Sequence, residues 1–331
     1  MNSMNKAWSI KNLESIFLSP TNHCNQKCIM CPNSNLKIQR GFIDDEVFKK
    51  IIIEIKELRL MKFSSFKELY FSLDGEPFLH PKYLNMLQYI DQNVTGLRIF
   101  INTNANLLNK SLIDGLLTLK NNQYYIVFSI DASYRELYEE IHLGGDFNKL
   151  EENLKYILNR KRENKINNPY TVLQFIVMPK NIHDQHDFYW KWEPLLGPNH
   201  KASGYTWWKG LIESNESHIH WKTLTSGWAN FEVTQTYENG YYSRIESQPT
   251  CFNPEASATN GRVCAWPWKS ICISYSGSVG LCWAHWESYG LLGNVRYKSI
   301  QQIFEGENAG KIRSLFWNKE YSKIPICGCC D

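Results

Sequence analysis

No stretch of the 331 residues approaches the ~18 consecutive apolar residues of a membrane-spanning helix. The first residues, Met1 to Ala7, lack the apolar core of a signal peptide. An excess of one charge is also missing: 36 Lys and Arg against 33 Asp and Glu leave a formal net charge of +3. That is too little to mark a nucleic-acid surface, and the one basic run, Asn159-Arg160-Lys161-Arg162, is expected to close a helix in solvent. Internal repeats and long low-complexity segments are absent. These gaps point to a cytoplasmic globular protein with neither membrane nor nucleic acid as partner. Cysteine is missing from residues 32–250, although the chain has ten.

The ten fall into two groups, three at 24–31 and seven from Cys251 to Cys330. Thiols of the cytosol stay reduced, so clustered cysteines there are expected to be metal ligands rather than disulfides. Cys24-Asn25-Gln26-Lys27-Cys28-Ile29-Met30-Cys31 has CxxxCxxC spacing. Three thiolates can hold three irons of a cubane cluster, and the fourth iron then has an open position. A zinc knuckle, a thioredoxin-like CxxC and unrelated core cysteines are the competing readings.

Strand-like runs alternate with helical ones. Strands are expected at 15–19, 68–73, 97–101, 124–131 and 171–178, with a sixth at Tyr205-Thr206-Trp207-Trp208. Helices are expected after Asp44 or Asp45, near 81–92, after Asn109, after Asp146 and over 183–195. The pattern predicts an α/β fold, a partial barrel of about six β/α units, with an open doubly wound sheet as the alternative. In either fold the reactive groups belong at the carboxyl ends of strands. The cysteine loop, Asp74-Gly75-Glu76-Pro77, Asn102 and Asp131 all lie there. The expected divisions are a core over 1–215, a pocket-shaping segment over 216–263, and a small cysteine-rich α+β extension over 264–331, a hairpin plus helix.

The cysteine spacing, followed by Pro32-Asn33-Ser34, resembles the cluster motif of the radical S-adenosylmethionine (SAM) enzymes. In that family a 4Fe-4S cluster with three cysteine ligands, here Cys24, Cys28 and Cys31, chelates SAM at its fourth iron. The resemblance extends to Asp74, Gly75 and Glu76, which match the family's Gly-Gly-Glu segment apart from the Asp, and which would meet the SAM ammonium. Ser129 and Asp131 resemble the ribose contacts, with Asn102 of similar type. Val177 lies on a strand resembling the one that lines the adenine. His142 stands where a basic residue, usually Arg, precedes Gly.

Cys264, a hairpin over Ile271 to Cys282, a helix near 298–316 and the tail Cys327-Gly328-Cys329-Cys330 resemble the SPASM/twitch extension. The simplest implied ligand set for one auxiliary 4Fe-4S cluster is Cys264, Cys282, Cys327 and Cys330, with Cys329 able to replace Cys327 or Cys330. Four cysteines would equally satisfy a structural zinc. Cys251 and Cys272 are candidate hydrogen donors to a substrate radical, or plain buried thiols. Ten of the twelve Trp lie between Trp190 and Trp286, as fillers of an irregular core or as a stacking surface for sugars.

The resemblance implies hydrogen abstraction by a 5′-deoxyadenosyl radical, with a reductant such as flavodoxin or ferredoxin as partner. The substrate expected is a small hydroxylated or amino metabolite of sugar or cyclitol type, which is oxidised or epimerised. The first alternative is a maturase that cross-links or epimerises a ribosomal peptide. The 23 residues before Cys24 are fewer than the roughly 40 of a self-folding leader-binding unit, which favours the metabolite. The second alternative is a non-enzymatic iron–sulfur or zinc protein.

Overall fold

The computed structural model describes residues 9–35, 38–197, 201–202, 216–223, 232–238, 241–248, 266–282, 290–320 and 323–324. Its framework is β1 (Ser15–Leu18), α1 (Asp45–Leu60), β2 (Glu68–Tyr70), α2 (Tyr83–Asn93), β3 (Arg98–Thr103), α3 (Lys110–Leu116) and β4 (Gln123–Ser129). Then come α4 (Arg135–Ile141), α5 (Phe147–Asn164), β5 (Tyr170–Val177), α6 (Gln185–Leu196) and β6 (His218–Thr223). Strands β1 to β6 pair in parallel in chain order, the ladder of a partial (β/α) barrel. Caps start several helices where the sequence places them. Asp44 accepts from the N–H groups of Glu46 and Val47, Asn109 from Leu112, and Asp146 from Lys149.

Period-two alternation divides the strand residues between two cores. Ile16, Leu69, Ile99, Ile101, Ile126, Phe128, Leu173, Phe175 and Ile219 face the helices in one large apolar layer. On the inner face, Phe17, Tyr70, Phe100, Tyr125 and Tyr170 come from five successive strands. They stack with centroids 4.2, 4.6, 4.8 and 5.0 Å apart. Trp266 packs edge-on against Phe17 at 5.6 Å. This aromatic ladder forms one continuous layer of the interior, one inward-facing position before Asn102 and two before Ser129.

The sixth strand lies at 218–223, inside the segment expected to shape the pocket, and Tyr205-Thr206-Trp207-Trp208 is outside the described residues. Helix α4 was not expected, because its seven residues are too few to display a clear helical period. The sheet also continues across the boundary expected at residue 264. Strand β7 (Ser270–Ile273) pairs in parallel with β1, on the edge opposite β2, and forms an antiparallel hairpin with β8 (Ser278–Gly280). Gly277 turns that hairpin at φ +85°. The expected C-terminal helix is two, α7 (Ile300–Phe304) and α8 (Glu307–Trp317). No described helix is long and apolar enough to cross a membrane.

Lys161 corrects the reading of the basic run. It is 7% exposed, and its ammonium donates to Thr171 Oγ1 at 3.2 Å and Ser217 Oγ at 3.3 Å. Burial pushes its pKa down from 10.5 to about 7. Between those values the unfolded chain binds more protons than the native one, so stability rises with pH across that window. The burial penalty is complete below it. Lys161→Met is expected to raise the unfolding free energy at neutral pH by about 2–3 kcal/mol and to flatten that slope. Denaturant titrations across the window check this, and equal slopes for the two proteins would refute it.

Candidate active site

The carboxyl edge of the sheet gathers the loops that follow β1 to β5. The cysteine loop leaves β1 and is fixed on three sides. Toward β2, Glu76 N donates to His23 O at 2.9 Å, and Gly75 lies so close that a Cβ would stand 2.2 Å from His23 O. Glycine is therefore required at 75 for close backbone packing. On the outer side Arg40 donates to Asn22 O at 2.6 Å and also to Asn33 O and Oδ1, while Asn33 donates to Asp74 O. Toward β3, Gln26 Nε2 donates to Asn106 Oδ1 at 3.1 Å and Tyr138 OH at 3.2 Å.

Cys24 is exposed at the rim, and Cys28 and Cys31 are half-buried. Burial pushes the Cys28 and Cys31 thiols up, Cys31 to about 11. Cys31, Cys24 and Asp131 add to the effect on Cys28. The three cysteines thus lie on one loop and influence one another electrostatically. Among the described residues, no three His, Cys, Asp or Glu side chains converge as ligands of a single metal ion. Three thiols at this spacing can hold three irons of a sulfide cluster.

Glu76 is buried, and desolvation raises its pKa to about 7. Its carboxylate accepts from Thr103 Oγ1 and Asn104 N, both at 2.8 Å, and from Phe78 N at 3.3 Å. It thus ties the turn after β2 to the end of β3. Asp74 is buried beside it. Asn102 is half-buried, and its N–H donates to Ser72 Oγ at 2.6 Å. The Val177 side chain lies in the outer core, so only its backbone belongs to the strand end.

Asp131 departs most from expectation. It is fully buried at φ +59°, a left-handed conformation that Asp tolerates better than most residues. Its Oδ2 lies 3.0 Å from His142 Nε2, and its Oδ1 accepts from Ile176 N at 2.5 Å. Both carboxylate oxygens are thus engaged within the protein. The other ring nitrogen, His142 Nδ1, lies 3.0 Å from Cys28 Sγ.

Above the aromatic ladder the interior turns polar. Phe100, Val127 and Val172 belong to the inner core, so Asn102, Ser129 and Gln174, two positions on, face the same space. Ile219 and Trp221 pack outward, which sends His218, His220 and Lys222 inward. Ser129, Gln174 and His220 are in register on three neighbouring strands. His220 is buried, its Nδ1 has no partner among the described residues, and burial pushes its pKa down to about 3. Burial brings half-buried Lys222 down to about 8, against the pull of Asp131. The reading of the sequence missed His220 and Lys222, yet the alternation His-Ile-His-Trp-Lys-Thr is a legible strand signal.

Cys272 is fully buried in the inner core opposite Phe17, and half-buried Cys282 packs against the same cluster. Burial, Cys282 and Asp74 hold the Cys272 thiol well above its ordinary value. Cys251, Cys264, Cys327, Cys329 and Cys330 lie outside the described residues.

Comparison with known proteins identifies the arrangement. Residues 18–188 match the radical SAM superfamily, and residues 264–331 match an iron–sulfur cluster-binding domain of the SPASM type. A tungsten-containing aldehyde ferredoxin oxidoreductase cofactor-modifying protein of Pyrococcus furiosus is 29% identical over 120 residues. That match covers 36% of this chain and only 31% of the relative's length. The structure of BtrN in complex with AdoMet and 2-DOIA superposes with a TM-score of 0.54 at 14% identity, covering 96% of this chain and 93% of BtrN. Streptococcus suis SuiB bound to S-adenosylmethionine superposes with a TM-score of 0.61 at 15% identity, covering 92% of this chain and 68% of SuiB. More than half of the sequence thus answers to one family, and the sheet, its cysteine loop and the C-terminal match agree with it. The chain belongs to the radical SAM superfamily, an enzyme whose cofactors are a 4Fe-4S cluster and SAM, with an auxiliary iron–sulfur cluster in its SPASM domain.

Proposed function

We propose that this enzyme removes hydrogen from a carbon of a small hydroxylated or amino metabolite, of sugar or cyclitol type, and so oxidises or epimerises it. The observation that carries this reading is the interior wall of Asn102, Ser129, Gln174, His220 and Lys222 above the aromatic ladder. Such a wall offers hydrogen-bond donors and acceptors at fixed positions, and the ladder offers ring faces. His220 stays uncharged and can accept from a hydroxyl at Nδ1. BtrN, solved in complex with AdoMet and 2-DOIA, has this fold, but so does SuiB, solved bound to precursor peptide SuiA. The fold alone therefore does not select the substrate class, and the choice rests on the wall.

The bound cluster and SAM supply hydrogen-abstracting radical chemistry. Cys24, Cys28 and Cys31 would hold the cluster, and the turn 74–76 and Ser129 would border SAM. The chain's own contribution is to fix those loops and to orient the substrate. Arg40, Asn33 and Glu76 lock the loops that would hold the cluster. Cys264, Cys282, Cys327 and Cys330 are the proposed ligands of the auxiliary cluster, a route for an electron leaving the substrate. A low-potential flavodoxin or ferredoxin is the proposed reductant.

Anaerobically reconstituted protein with SAM and dithionite tests the reading. Production of 5′-deoxyadenosine is expected to rise tenfold or more with an aminocyclitol such as 2-DOIA or a close analogue, and not with peptides. Acceleration by a peptide and by no polyol would overturn it in favour of the maturase. His220→Leu is expected to raise KM for the metabolite at least tenfold, about 1.4 kcal/mol of lost binding, while basal SAM cleavage persists. Cys28→Ala is expected to abolish 5′-deoxyadenosine, and full cleavage in that variant would remove Cys28 from the ligand set. Gly75→Ala forces a backbone clash, with an expected loss of about 2–3 kcal/mol of stability or more and a fall in bound iron. Thermal unfolding and iron analysis read both.

A further inference from the structure

Strand register puts three inward-facing polar residues in one row. Ser129 of β4 stands opposite Gln174 of β5, and Gln174 stands opposite His220 of β6. Neighbouring strands lie about 4.8 Å apart, so the Gln174 side chain reaches the surroundings of both neighbours. Its direction follows from the residues around it. Leu173 and Phe175 pack in the outer core, and Val172 belongs to the inner one. The main chain of Gln174 is fixed, because its carbonyl accepts from Ile130 N at 3.2 Å and from Asp131 N at 3.3 Å.

The side chain is not fixed in the same way. Gln174 is 6% exposed, yet its amide has no hydrogen-bond partner among the described residues. A buried amide without a partner carries a desolvation cost. Val172, two residues earlier on the same face, is apolar and carries none. On one side of Gln174 the Ser129 hydroxyl, and on the other His220 Nδ1, also lack partners among the described residues. An amide donates through its nitrogen and accepts through its oxygen, so it can bond to two ligands at once. A glutamine loses much side-chain freedom when its amide is first engaged. A second ligand that uses the amide already ordered does not meet that cost again.

We propose that Gln174 couples the two ligands of this enzyme, its amide bonding on one side to SAM beside Ser129 and on the other to the metabolite beside His220. The inference rests on the reading in which Ser129 borders SAM and His220 meets the metabolite. Each ligand then tightens the other, and by linkage both affinities rise by the same factor. SAM is thereby held most firmly when a substrate is present to receive the radical.

The test measures equilibrium binding to the full, anaerobically reconstituted chain with no reductant present, so that SAM is not consumed. Calorimetry gives the Kd of SAM without and with saturating 2-DOIA, and the Kd of 2-DOIA without and with saturating SAM. In the unmodified chain each Kd is expected to fall about tenfold when the other ligand is bound. Gln174→Met keeps the length of the side chain and removes the amide, and it is expected to bring that factor below about twofold. A general loss of structure would weaken SAM equally with and without 2-DOIA and leave the factor unchanged. An unchanged factor in Gln174→Met overturns the proposal. A factor near one in the unmodified chain, with 2-DOIA bound, also overturns it and leaves the metabolite reading standing. If neither 2-DOIA nor scyllo-inositol binds in the presence of SAM, the metabolite reading has failed and the inference falls with it. Should Gln174→Met not load iron, Gln174→Leu, which also lacks the amide, is judged by the same factor.

Discussion

The absence of one methyl group governs the geometry of this enzyme. Gly75 lets the turn after β2 lie against the backbone of residues 21–23, where any side chain would stand 2.2 Å from a carbonyl oxygen. The loop that follows those residues carries Cys24, Cys28 and Cys31. Contact between two main chains is stiffer than contact between side chains, because neither partner has a rotamer to give up. Glu76, next in the chain, extends the clamp to β3 through Thr103 and Asn104. The cysteine loop therefore takes its position from the strand ends, and the sheet acts as the ruler for the site.

The interior of the sheet decides where chemistry can occur. One layer of it is a row of rings in contact across five strands. Its upper half exposes amide, hydroxyl, imidazole and amine groups. Buried polar groups carry a desolvation cost unless partnered, and in this wall His220 Nδ1 has no partner among the described residues. The low pKa values of His220 and Lys222 follow from the same desolvation, which keeps the imidazole neutral next to its neighbours.

Most of the framework was legible because it obeys simple periods. Strands β1 to β5 are apolar runs bounded by turn residues, and α1 and α5 carry an apolar stripe behind Asp44 and Asp146. Three kinds of information were not legible. Lys161 looked like a solvated helix end, but the sequence does not reveal that Thr171 and Ser217 wait opposite it. Asp131 was placed by resemblance among ribose contacts, whereas tertiary packing engages both its oxygens with His142 and Ile176. The pairing of Cys28 with His142 joins residues 114 positions apart through a two-residue ladder, and nothing local encodes it. Strand β6 was within reach, since His218, His220 and Lys222 alternate with Ile219 and Trp221.

Strand β1 links the two ends of the chain. It pairs with β2 on one side, where the turn that clamps the cysteine loop begins, and with β7 on the other. Cys272 therefore sits in register with Phe17, seven residues before Cys24 in sequence, and Cys282 packs against the same inner cluster. The parallel ladder therefore ties residues 270–273, which lie inside the SPASM match, to the first strand of the barrel by backbone hydrogen bonds rather than through a flexible linker. The family boundary at residue 264 is thus not a boundary of the sheet.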